Sequence, residues 1–178
     1  MTCIVAIKTG KEITLAGDRL IVRGNSQQLT ETKLFTVGDF TFGFCGNLRL
    51  AQAVKYGWRQ PDKVESTEEV NYLINTCIPS LKQLLVACDF GDRKALYDIG
   101  VIGLIVYKST IYRLSWDFSL QEVEEFDAVG CGDTFAKGFY HGCSGELVVD
   151  DFLPRLFKAC SKEDPFVSEE FTKITFNL

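Results

Sequence analysis

The chain starts Met1-Thr2-Cys3-Ile4-Val5-Ala6-Ile7-Lys8-Thr9-Gly10-Lys11-Glu12-Ile13-Thr14-Leu15-Ala16-Gly17-Asp18. Apolar residues at 3–7 and again at 13–16 flank a Thr9-Gly10-Lys11 turn, which predicts a hairpin with strands over 3–8 and 12–17. Chain ends are ordinarily solvated and poorly tied down. Here the apolar pattern begins at residue 3, so the N-terminal end is expected to be pinned inside the fold. A buried chain end has one known chemical use: a free α-amine, with a pKa of about 7.7–8.0, serves as a base near neutral pH. Removal of Met1 would put such an amine and the Thr2 hydroxyl on one residue, and Thr activated by an N-terminal amine is an established covalent catalyst. Thr is also a common strand former. On composition alone the plainer reading comes first: a buried first strand whose Thr is merely its first residue.

The remainder bounds the possibilities. A length of 178 residues predicts a single domain over 1–178 that buries roughly 70% of its unfolded surface. The net charge of −5 and the absence of any basic run argue against a nucleic-acid partner. Cysteine occurs seven times; the count is odd and forms no CxxC pair, so neither a disulfide framework nor a zinc site is signalled. With no signal peptide or membrane-length apolar stretch, the expectation is a chain of the reducing cytosol. His141 is the sole histidine, which leaves no His-based metal cluster.

Further along, 33–37 and 40–45 predict a second hairpin turning at Gly38-Asp39, with a polar surface loop over 19–32 before it. Leu48, Ala51, Val54 and Trp58 recur at helical spacing up to Pro61. Ser66 and Glu69 fit a capping box ahead of a long helix from Val70 to Cys88, which Pro79 should kink or split. A charged loop is expected over 89–98, strands over 100–107, 110–116 and 120–126, helices over about 134–143 and 150–160, and a last strand over 171–176. At Gly46 and again at Gly130-Cys131-Gly132-Asp133, glycines meet a helix N-terminus, where exposed amides suit an anion or an oxyanion.

Met1-Thr2-Cys3-Ile4-Val5-Ala6-Ile7, Leu15-Ala16-Gly17-Asp18, Gly24-Asn25 and Lys33 together resemble the start of proteasome β-subunits and of the bacterial HslV-type peptidase, members of the N-terminal nucleophile (Ntn) hydrolase superfamily. The resemblance implies an α+β fold: a four-layer αββα sandwich of two antiparallel sheets between helical layers. It implies Thr2 as nucleophile, with its own amine as base. Asp18 falls on the family's catalytic-site Asp without a gap, and Lys33 on its catalytic Lys with the intervening loop one residue shorter. The Gly46 amide would donate to the oxyanion. Cys131, where the family has Ser, would orient the amine together with Asp133 or Asp164. The Asp164-Pro165-Phe166-Val167-Ser168 stretch lacks the family's Gly. Val22, Phe44 and Leu48 would contact substrate, and the 19–32 segment would line the substrate cleft. No metal or organic cofactor is implied. The implied partners are a peptide or unfolded protein substrate and further copies of the chain in a ring, with an ATPase partner left open.

Two other readings stand beside this one. Gly130-Cys131-Gly132-Asp133 also resembles the Gly-Ala-Gly-Asp signature of ribokinase-like sugar kinases, in which the Asp is the base. That fold needs a longer chain with a nucleotide site downstream of the motif. The other alternative is a silent family member that builds a ring or a scaffold, because Met1 left in place would lock Thr2's amine in a peptide bond and a thiol at Cys131 is a weaker hydrogen-bond partner than a hydroxyl.

Overall fold

The computed structural model describes residues 2–23, 26–30, 32–46, 48–90, 101–143 and 147–178. Gly24, Asn25 and most of the expected 89–98 loop lie outside the described residues. The first strand, β1 (Cys3–Lys8), pairs antiparallel with β2 (Glu12–Asp18) on one side and with β10 (Phe126–Gly130) on the other. Strand β11 (Phe171–Asn177) completes a four-stranded sheet in the order β10-β1-β2-β11. A second sheet runs β5 (Leu34–Val37), β6 (Phe40–Phe44), β7 (Val101–Tyr107), β8 (Thr110–Ser115) and β9 (Leu120–Val123), again antiparallel throughout.

Side-chain alternation explains how these sheets stack. Along β1, Cys3, Val5 and Ile7 point into a core shared with Leu153, Leu156 and Phe157 of helix α5 (Val149–Glu163) and Ala136 of α4 (Asp133–Gly142). Ile4 and Ala6 point the other way, into a core shared with Leu34, Leu104, Val106 and Ile111 of the second sheet. Neither face of β1 meets water, which is why its sequence is a continuous apolar run rather than an alternating one. On the far side of the second sheet, Phe40, Phe42, Phe44 and Tyr107 pack against Leu50 and Val54 of α1 (Leu48–Gly57) and against Leu73, Cys77, Leu81 and Leu85. Those last four lie on a helical run built from α2 (Glu69–Tyr72), a π-type turn (Leu73–Cys77), α3 (Ile78–Leu85) and a second π-type turn (Val86–Phe90). The layers are therefore helix, sheet, sheet, helix: the αββα sandwich of the Ntn hydrolases.

Several expectations need correcting. The 19–32 segment is not a plain loop: β3 (Leu20–Arg23) and β4 (Ser26–Leu29) form a separate hairpin. No capping box forms at Ser66; Glu68 occupies the N-cap of α2 without a side-chain hydrogen bond. Pro79 falls in the first turn of α3, where its missing N–H is tolerated, and the helical run continues through π-type turns on either side. The single strand expected over 120–126 is two, because the chain leaves the second sheet after Val123 and enters the first at Phe126. All strand pairs among the described residues are antiparallel, unlike the α/β units that the kinase resemblance implies.

Within the second sheet, the backbone of β6 comes close to Gly103 of β7. A Cβ built on Gly103 would stand 2.3 Å from the backbone oxygen of Gly43, an atom that cannot rotate away. Gly103→Ala should therefore destabilise the protein by about 2–3 kcal/mol, the scale of core overpacking. Urea unfolding of the variant checks this, and an unchanged midpoint would contradict the packing described.

Candidate active site

Asp18 ends β2 directly beside the start of β1, and its carboxylate is completely buried. Four donors surround it. Oδ1 accepts from the Cys3 amide at 2.7 Å and from Lys33 Nζ at 2.8 Å. Oδ2 accepts from the Leu20 amide at 3.0 Å and from the Ser168 amide at 3.4 Å. Charge-assisted bonds of this kind satisfy a buried carboxylate and fix it in place. Lys33 lies just before β5, its side chain only 9% exposed. Burial pushes its ammonium pKa down, and the adjacent Asp18 charge opposes that shift. Asp18 thus joins the first two strands, the β3 entrance, the segment before β11 and the lysine.

Thr2 is 4% exposed and is held from the opposite side by the turn after β10. Its amide nitrogen donates to Cys131 Sγ at 3.2 Å, the Cys131 thiol donates back to the Thr2 carbonyl at 3.4 Å, and the Gly132 amide reaches the same carbonyl at 3.5 Å. The approach requires glycine at 130: its φ is 101°, and a Cβ there would lie 2.0 Å from the Thr2 oxygen. Burial first, and then the neighbouring Asp164 carboxylate, push the Cys131 thiol up to about 11. Asp164 follows the last turn of α5 and accepts the Phe166 amide at 2.8 Å. Of the two carboxylates offered for orienting the amine, Asp164 is the one whose charge acts on Cys131. Asp133 sits in the first turn of α4 and takes the Thr134 hydroxyl at 3.1 Å.

These two assemblies meet at a cleft of about 660 Å³. Thr2, Lys33 and Gly46 line it, and so do Val22, Phe44 and Leu48, the three positions carried over as substrate contacts. Gly46 has φ 95° and lies between β6 and α1. Val22 and its neighbours Leu20 and Ile21 come from the β3 hairpin, so the segment expected as a loop does wall the cleft. Arg49, Lys55 and Tyr56 of α1 also line it. Helical periodicity alone did not single these out, because it does not say which flank of an amphipathic helix faces a cleft. Ser168 is the other residue missed, since it acts through its backbone. Among the described residues, no group of three or more His, Cys, Asp or Glu is placed to hold a metal ion, and no helix is long and apolar enough to cross a membrane. The seven cysteines are free thiols.

Neither a protein-family model nor a curated protein matches the chain. Solved structures match it in fold over nearly its whole length. BPH of Thiobacillus denitrificans, solved in complex with epoxomicin, aligns with a TM-score of 0.72 at 17% identity, covering 99% of this chain and 98% of that one. The eukaryotic HslV of Trypanosoma brucei aligns with a TM-score of 0.68 at 15% identity, covering 99% of both chains. A mutant of Anbu from Hyphomicrobium aligns with a TM-score of 0.70 at 13% identity, covering 99% of this chain and 82% of that one. These likenesses establish an HslV-like, proteasome-type fold.

Asp18→Asn keeps the shape of the carboxylate but turns one acceptor into a donor among four donors, and it strands the Lys33 charge. The expected loss is about 3–5 kcal/mol, as for a buried ion pair with one partner removed. Chemical denaturation measures it; a loss under about 1 kcal/mol, the scale of an exposed pair, would contradict a buried, fully engaged carboxylate.

Proposed function

We propose that the protein is a threonine-type peptidase that becomes active when Met1 is removed. The observation that carries this reading is the meeting of Thr2, the Asp18-held Lys33 and Gly46 in one cleft. Thr2 Oγ attacks the carbonyl carbon of a peptide bond while its proton passes, through a water, to the Thr2 amine. The Lys33 ammonium favours the alkoxide as it forms, and as a like charge it lowers the pKa of the neighbouring amine. The Gly46 amide donates to the tetrahedral oxyanion. Collapse breaks the C–N bond, the leaving amine takes the proton, and an ester on Thr2 remains. Water then hydrolyses the ester with the same amine as base. Asp18 keeps Lys33 charged and oriented. Cys131 and Asp164 orient the amine, where the hydrogen bond from Thr2's nitrogen to Cys131 Sγ supports the assignment. Asp133, with its bond to Thr134, has less support in that role.

The natural substrate is a peptide or an unfolded protein, and copies of the chain assemble as a ring in the cytoplasm as one-domain subunits. The chemistry needs neither a metal nor an organic cofactor.

Intact mass before and after exposure to epoxomicin or a threonine-directed β-lactone tests the nucleophile. A mass lacking Met1, with one adduct that Thr2→Ala abolishes, is expected. Retained Met1 and no adduct would overturn the reading in favour of a silent ring-forming subunit.

A further inference from the structure

Outside the cleft, one buried carboxylate has no part in the mechanism. Asp127 of β10 is 6% exposed. Its Oδ1 accepts from Arg113 Nη1 at 2.9 Å and from the Ala128 amide at 2.8 Å, and Lys137 Nζ of α4 lies 2.9 Å from the same oxygen. Its Oδ2 accepts from Arg113 Nη1 at 2.7 Å. Arg113 belongs to β8, in the other sheet. Alternation explains the meeting. Ala128 packs in the core shared with α4 and α5, and Val129 in the core between the sheets, so Asp127 shares the face of Val129 and turns toward the second sheet.

Among the described residues β10 pairs only with β1, at the end of its sheet. Its register therefore rests on one ladder and on what its side chains meet. A slip of one residue would exchange its faces between unlike cores. A slip of two keeps the faces. In one direction it would bring Ala128 opposite Cys3, where Gly130 stands, and a Cβ there would lie 2.0 Å from the Thr2 oxygen. In the other direction it would bring Gly132 there, which carries no Cβ to clash. That slip would leave Cys131 opposite Ile4 instead of at Thr2. It would also carry Asp127 about 7 Å away from Arg113, at about 3.3 Å per residue.

We propose that the Arg113–Asp127 pair is a positioning site for the Thr2 amine: it excludes the slip that the glycines permit, and so keeps the Cys131 thiol at the nitrogen that serves as base. The inference deepens the peptidase reading and rests on it for the amine's role. Neither residue lines the cleft, so the pair acts through strand register and not on the substrate. The Arg113 and Asp127 side chains are 19% and 9% exposed, a setting in which salt screens an ion pair little. Lys137, at 35%, reaches the carboxylate from α4, so its bond does not tie β10 to the second sheet.

The test follows epoxomicin adduct formation on the full chain by intact mass at a series of inhibitor concentrations, which separates the maximal rate from the half-saturating concentration. Arg113→Gln should lower the maximal rate about ten- to hundredfold, the scale of a misplaced reacting group. The half-saturating concentration should stay the same, because the cleft lining is untouched. Asp127→Asn should do likewise, and it takes the place of Arg113→Gln in every comparison if that variant does not fold. Arg113→Lys, which returns a cation to the carboxylate, should recover most of the rate. Lys137→Gln, which leaves both Arg113 bonds in place, should keep the wild-type rate. NMR gives a readout that needs no activity: the cross-strand NOEs of Cys3 with Gly130 and of Ile4 with Val129 should weaken in Arg113→Gln and persist in Lys137→Gln. An unchanged maximal rate, unchanged NOEs, or an equal loss in Lys137→Gln overturns the inference and leaves the peptidase reading standing. No adduct on the wild-type protein would sink the peptidase reading, and the NOEs would then decide the register claim by themselves.

Discussion

A buried carboxylate organises this molecule. Asp18 has no exposed surface, yet it takes hydrogen bonds from Cys3, Leu20, Lys33 and Ser168, residues drawn from four separate stretches of chain. An ion pair taken out of water adds little net stability compared with apolar side chains of the same volume. What it supplies is position. The Lys33 ammonium can lie in only one place, at the edge of the cleft that Thr2 also lines, and the start of β1 is fixed against the end of β2 by the same oxygen that holds the lysine.

Thr2 is placed by the sandwich itself. With Cys3 directed at the α4–α5 layer and Ile4 at the second sheet, β1 has no face left on which to slide. A slip of one residue would exchange its two faces between unlike cores. Its partner β10 then delivers Gly130, Cys131 and Gly132 to the Thr2 backbone. The surroundings of Thr2 therefore come from strand register at one end and from the Asp18 network at the other, both parts of the sheet scaffold.

Much of this was legible in the residues. The hairpins about Thr9-Gly10-Lys11 and Gly38-Asp39 follow from local pattern and turn chemistry, and the two-sided burial of β1 follows from its unbroken apolar run. The grouping of Thr2, Asp18, Lys33 and Gly46 depended on resemblance, because no periodicity links residues so far apart in sequence. Other features resisted reading for physical reasons. The β3–β4 hairpin stands apart from both sheets and β4 is exposed along its length, so it shows no alternation of apolar and polar residues. The transfer of the chain from β9 to β10 is a choice of long-range partner with no local signal. Leu48 read as part of an apolar helical stripe, whereas the core takes Leu50 and Val54 and leaves Leu48 to the cleft. The glycine-bounded Cys131 invited two families, and only its hydrogen bonds with Thr2 say what the thiol touches.

The central claim is that Thr2's own amine serves as base beside a buried, charged lysine. NMR titration of the Thr2 α-amine tests it most directly. A titrating amine on Thr2 with a pKa below the free value of about 7.7–8.0, rising when Lys33 is replaced by Ala, is the predicted result. A normal or raised value insensitive to Lys33, or a titrating amine that belongs to Met1, would contradict the account.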